Sequence, residues 1–261
     1  MLPNGALDAI PLWAVFVLTG ILVLAAVEGG FALGRHRRTR AAEEQAGAVG
    51  TMVGSTLGLL AFMLAFVFSF SSARIDGRRT ALIEEANALG TTYLRAGIMP
   101  EPHRSEIRRL LREDVDAQVE GFQILRTAHS IARVDTIHAE LWRHATALGR
   151  ENPNSIVVGV FIQSLNDVID YYAKRLMTAR TRVAALVWFV LYTLTFLAMF
   201  AMGYHVALTG TTRSPAILLV ALSFALVICL VADLDRPHEG HIRLSQQPMM
   251  DLQAMMQTDN R

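Results

Sequence analysis

An all-α membrane protein is predicted: four transmembrane helices, with a helical extramembrane bundle inserted between the second and the third. Three observations predict it. Hydrophobic residues make up 52% of the 261 residues and charged ones only 18%, against roughly 25% charged in an average soluble domain. Four stretches are apolar and nearly free of charge over the length a helix needs to cross a bilayer. Between the second and third of these, apolar residues recur at helical spacing within a polar background. On this reading residues 1–73 hold transmembrane helices 1 and 2, and 74–182 form the extramembrane helical domain. Residues 183–233 hold helices 3 and 4, and 234–261 form a polar C-terminal tail.

The first span runs from Ile10 to about Leu33, with Pro11 near its start. No basic segment precedes it, so it is read as a retained helix and not as a signal peptide. Glu28 follows the uncharged stretch Ile10–Val27. A carboxylate near a helix end reaches the interface, whereas a deeper one needs a partner and becomes a functional candidate; the interfacial reading is favoured.

After a short loop with Arg35, Arg37, Arg38 and Arg40, the second span begins. From Gln45 to Ala73 no side chain is charged. The helix is expected to continue into the polar stretch beyond Arg74, with Gly77 a weak interruption. Gly50, Gly54 and Gly58 recur every four residues, and so do Phe62, Phe66 and Phe70. A step of four drifts about 40° around a helix, so each trio keeps to roughly one face. Small residues at this spacing let another membrane helix approach closely. The phenylalanines either face lipid and the bundle core, the plainer reading, or line an apolar constriction that gates by dewetting.

In the insert, Pro100 and Pro102 end the first helix. Ile107, Leu110, Leu111, Val115, Val119 and Phe122 mark a second helix. Ile131, Val134, His138, Leu141, Trp142, Ala145 and Leu148 mark a third. Asn154 or Ser155 caps a fourth. It carries Val157, Val160, Phe161, Ser164, Leu165, Val168, Tyr172 and Leu176, and shows no stop before the third span. That span is Val183 to about His205; the fourth is about Pro215 to Ala232. Counting arginines in the loop after the first span puts the insert outside, though the insert's own membrane-proximal ends are also basic.

Where the fourth span meets water, Asp233, Asp235 and Arg236 suggest a cation site or a ring of charge at a mouth, set against a solvated helix end. Arg74 and Asp76, just past the second span, are candidate partners for them; a charged pair there would fix helix register. His138 lies on an apolar stripe and reads as a core or interface residue. Glu84, Glu85 and Asn87 with Arg95 either contact the insert's other helices or, the plainer reading for any one of them, belong to a solvated face. His238-Glu239-Gly240-His241 does not have the spacing or the helix of a zinc-protease motif. Gln246 and Gln247 sit in a tail with no evident fold of its own, which can dock on the insert. Cys229, the single cysteine, reads as a small apolar packing residue. No catalytic constellation, metal site or cofactor is expected, and a net charge of +1 suggests no nucleic-acid partner.

Three segments carry a resemblance: Leu57 to Arg79 with Glu84 to Asp116, Phe161 to Leu176 and Ala232 to Pro248. They resemble the bacterial bestrophin-like domain family, membrane proteins distantly similar to bestrophins. Bestrophins are pentameric chloride-permeable channels with apolar side chains of the second span lining a neck. The resemblance implies a homo-oligomer, a pentamer by analogy, in the bacterial inner membrane. It makes Phe62, Phe66 and Phe70 the neck candidates. It also implies a cytosolic insert, against the arginine count.

The expected function is therefore an oligomeric channel or channel-like protein in a lipid bilayer, passing small ions, with anions one candidate class. The second span would line the pore and the insert would form a vestibule. The alternative is a non-conducting scaffold or sensor whose helical domain binds a partner or ligand.

Overall fold

The computed structural model describes residues 10–37, 43–123, 128–210, 215–236 and 245–259. Among them the helices are α1 (Leu12–Arg37), α2 (Glu43–Ala96), α3 (His103–Gln123), α4 (Ala128–Glu151), α5 (Ile156–Arg180), α6 (Ala185–Leu208), α7 (Pro215–Asp235) and α8 (Gln247–Thr258). Three helical stretches, containing α1, α2 and α6, are long and apolar enough to cross a membrane.

α2 is unbroken over 54 residues. Its sequence holds no proline before Pro100, and Gly77 costs a helix interior only about 1 kcal/mol. The end is set by Gly97 and the prolines: the N–H groups of Gly97, Ile98 and Met99 turn back to the carbonyls three residues earlier, each at 3.1 Å, the tighter winding that finishes many helices.

The chain divides into two compact units, and the division falls within α2. One holds Arg74–Thr181 together with α8; the other holds the first part of α2 with α1, α6 and α7.

The first unit is a helical bundle whose core joins α2, α3, α4, α5 and α8. Leu89, Tyr93, Ile107, Leu110, Leu111, Leu141, Leu148, Phe161 and Leu165 are fully enclosed. The stripes predicted for α3 and α4 face this core, with two refinements. Trp142 stands outside it and Ile137 inside. On α5 the buried line is Val158, Phe161, Leu165, Val168 and Tyr172, whereas Val157 and Val160 are exposed. Ser155 caps α5, accepting the N–H of Val158 at 3.3 Å. The side chain of Phe122 lies outside the described residues.

Two expectations are corrected. The C-terminal tail has a fold: α8 seats Met249, Leu252 and Met256 in the bundle core, and its spacing of three and four residues is that of a helix face. The fourth insert helix does not run on into the third span. α5 stops at Arg180 and α6 starts at Ala185, with Thr181 and Ala184 extended. Side chains satisfy the backbone groups a break exposes. The Arg78 guanidinium donates to the carbonyls of Thr178 (3.2 Å) and Thr181 (2.8 Å) at the C-terminus of α5. The Asp235 carboxylate accepts the Val183 N–H (2.9 Å) ahead of α6. A cation at a helix C-terminus and an anion at an N-terminus are also what the helix dipoles favour.

In the second unit α1 and α6 meet backbone to backbone. A Cβ on Gly30 would overlap the Phe200 carbonyl, one on Gly34 would crowd the Tyr204 carbonyl, and one on Gly203 would overlap the Val27 carbonyl. Thr19 and Tyr192 share a hydrogen bond across the same pair of helices (3.0 Å). Because neither partner here is a flexible side-chain tip, Gly203→Ala should destabilise the purified chain in detergent by about 2 kcal/mol, read as a lower thermal midpoint. Gly54→Ala, which meets nothing of its own chain within 4 Å, should leave the midpoint of the monomeric chain unchanged or raise it, because alanine is the better helix former.

Candidate functional site

The membrane half of α2 carries two faces. One, formed by Leu60, Leu64 and Val67, packs into the second unit's core. The other is a ridge of residues four apart: Gly54, Gly58, Phe62, Phe66 and Phe70. All five are exposed, the phenylalanines at 66%, 60% and 51%. The rings of Phe66 and Phe70 lie parallel with centroids 6.4 Å apart. Only 22% of the most apolar eighteen residues of α2 are buried, so this helix leaves most of its membrane surface for lipid or another chain. Gly50 differs from its two companions: a Cβ there would stand 2.8 Å from His205 Nε2 on α6. Beside the ridge, an apolar groove of about 430 Å³ runs between α2 and α7, lined by Ala61, Ala65, Phe68, Phe224, Val227 and Leu230.

The charged residues at the end of α7 are not a solvated helix end. Asp233, Asp235 and Arg236 are all buried. Asp235 holds the Val183 N–H, and Arg236 donates to the Ile10 carbonyl at 2.5 Å. They staple the two chain segments that lead into α1 and α6. Arg74 and Asp76 fall in the other unit; Arg74 is half-buried and Asp76 exposed. Glu28 is exposed on α1. Gln246 precedes α8 half-buried, and Gln247 opens it, its Nε2 donating to Asp251 at 2.7 Å. The motif His238-Glu239-Gly240-His241 lies outside the described residues.

Sequence reasoning missed a buried polar chain in the helical unit, to which four helices contribute. His138 Nε2 donates to Asp114 Oδ2 (3.0 Å), and Gln118 Nε2 donates to Asp114 Oδ1 (2.9 Å). Arg175 donates to Gln118 Oε1 (2.5 Å) and pairs with Glu85. Each of the five is buried. The Tyr172 ring meets His138 edge-on at 5.0 Å, and its hydroxyl is pushed up to about 12, first by burial and then by the charge of Asp135. The available signal was the polar residues Asp114, Gln118 and His138 standing among apolar positions of their stripes.

Burial draws His138 down, but the hydrogen bond and charge of Asp114, with Glu85 and Asp135 behind them, outweigh it and leave the imidazole above its ordinary value of 6.5. The stability this contributes is fully present below the unfolded value and is lost as pH rises through the raised one. His144, lowered by burial and by the charge of His103, acts with the opposite sign, its contribution lost as pH falls. The thermal midpoint of the helical unit should therefore contain a component that falls as pH rises above the ordinary histidine value of about 6.5. His138→Gln should abolish that component alone.

Residues 20–249 match the family described as the bestrophin-like domain. No curated protein matches the chain. Among solved structures, a bacterial bestrophin homologue from Klebsiella pneumoniae, phased on zinc, superposes with a TM-score of 0.65 at 14% identity, covering 94% of this chain and 96% of that one. A point variant of a bestrophin homologue from the same organism gives 0.65 at 15%, covering 95% and 98%. A crystal structure described only as a membrane protein variant gives 0.64 at 14%, covering 95% and 97%.

Proposed function

The chain belongs to the bestrophin-like domain family, and from that premise we propose that it is an oligomeric channel for small ions, anions among them, with α2 lining the pore. The observation that carries this reading is the exposed ridge of α2. Three phenylalanines at a four-residue step stand clear of the chain's own core. A ring of them contributed by several copies makes an apolar constriction of the kind that gates by dewetting. Gly54 and Gly58 continue the same ridge with open space beside them, room for a second copy's helix to approach. The groove between α2 and α7 offers that copy an apolar seat.

The four-span topology follows if α7 also crosses the bilayer. Its 21 residues reach about 31 Å at 1.5 Å per residue, the thickness of the hydrocarbon core. The bacterial inner membrane is the compartment this reading assigns. The pentamer is taken from the analogy with bestrophins.

Flux from liposomes holding the purified protein tests the reading, with chloride and potassium compared in parallel. Flux above that of empty liposomes is expected. No flux of either ion from a defined oligomer would overturn it in favour of a non-conducting scaffold or sensor.

A further inference from the structure

Two histidines lie apart from the buried polar chain around His138. His103 opens α3, and His144 lies on α4. Their Nδ1 atoms are 2.9 Å apart, with the rings edge to face at 80°. On the far side of the His103 ring, Nε2 lies 3.6 Å from Glu151 Oε1. We propose that His103 and His144 form a two-imidazole site for a divalent first-row transition cation, clipping the start of α3 to α4.

The two Nδ1 atoms share a proton in a hydrogen bond, and a metal ion would take that proton's place. Imidazole nitrogens bound to a tetrahedral ion at 2.0–2.1 Å lie roughly 3.3 Å from each other, so the pair need open by only about half an ångström. Glu151, attracting a proton to Nε2, leaves the Nδ1 lone pair of His103 turned towards His144. A carboxylate on the outer nitrogen is how metal-binding histidines are commonly oriented. Imidazole donors select zinc, copper and nickel over magnesium and calcium.

Glu106, one turn beyond His103, is held by both of its oxygens on Arg109 at 2.6 and 3.0 Å and is not counted as a donor. Among the described residues no set of three His, Cys, Asp or Glu side chains is placed to hold a metal. The site therefore has two protein donors, completed by water, and binds more weakly than a closed structural zinc centre.

Calorimetric titration of the tag-free full chain in detergent with zinc chloride tests this. About one ion per chain is expected, with affinity at least tenfold lower in His144→Asn and in the His103→Asn/His144→Asn pair, and unchanged in His238→Asn/His241→Asn. Absence of binding, or binding indifferent to His144→Asn, would overturn the proposal. Should His144→Asn fail to fold, copper(II) paramagnetic resonance on the His238→Asn/His241→Asn chain decides. Two coordinated imidazole nitrogens uphold the site, and their absence refutes it.

Discussion

Phe66→Ala should raise ion flux through liposomes holding the protein by at least about tenfold, equivalent to lowering the passage barrier by about 1.4 kcal/mol. The ring stands in the middle of the exposed ridge, stacked on Phe70, and contributes nothing to the chain's own core. Its removal therefore leaves the fold intact while widening and wetting a hydrophobic constriction. Phe68→Ala is the internal control. Phe68 lies two residues away but borders the groove beside α7, so its truncation should not raise flux, whatever it does to the seating of a neighbouring copy. Equal flux from wild type and Phe66→Ala, in preparations with the same oligomer size, would remove α2 as the pore lining.

Glu85→Gln should destabilise the helical unit by about 3 kcal/mol, seen as a thermal midpoint lower by roughly 10 °C. Glu85 and Arg175 are both buried and form an ion pair. Removing one partner leaves the other's charge in a low-dielectric interior, and Gln118 supplies only a neutral acceptor in compensation. Replacing both at once, Glu85→Leu with Arg175→Met, should restore most of the loss, because an apolar pair carries no desolvation cost. A midpoint equally low in the double variant would show that the loss is one of packing and not of stranded charge.

Much of the fold could be read from the sequence because its signals were local. Uncharged stretches, prolines at 100 and 102, and stripes of period 3.6 each act within one helix. What escaped was set by distant partners. The break after Arg180 has no proline or glycine to announce it; it depends on Arg78, about a hundred residues earlier, and on Asp235, some fifty later. For Glu85 the plainer solvated reading fails and contact with another insert helix holds, but the partner, Arg175, lies 90 positions away and no local signal names it. The tail helix was within reach: Met249, Leu252 and Met256 already had helical spacing, obscured by polar neighbours. For the α2 ridge, the spacing of the phenylalanines was plain, and the structure adds that the chain itself leaves them uncovered. The glycines divided unexpectedly. The α2 run drew the eye, yet the close backbone contacts fall at Gly30, Gly34 and Gly203, and of the run only Gly50 comes near another helix, at a side-chain tip.

That division has a genetic consequence. Every missense change at a glycine codon adds a Cβ, so codons 30, 34 and 203 admit no variant that a single folded chain accommodates without shifting backbone. Codons 54 and 58 are free of that constraint within one chain. A saturation library selected only for folded, membrane-inserted protein would purge alleles at the first three and retain them at the last two. Selection for cellular activity would then purge 54 and 58 as well if another copy lies against them. The difference between the two allele spectra would map, residue by residue, the surface that natural selection sees only in the assembled protein.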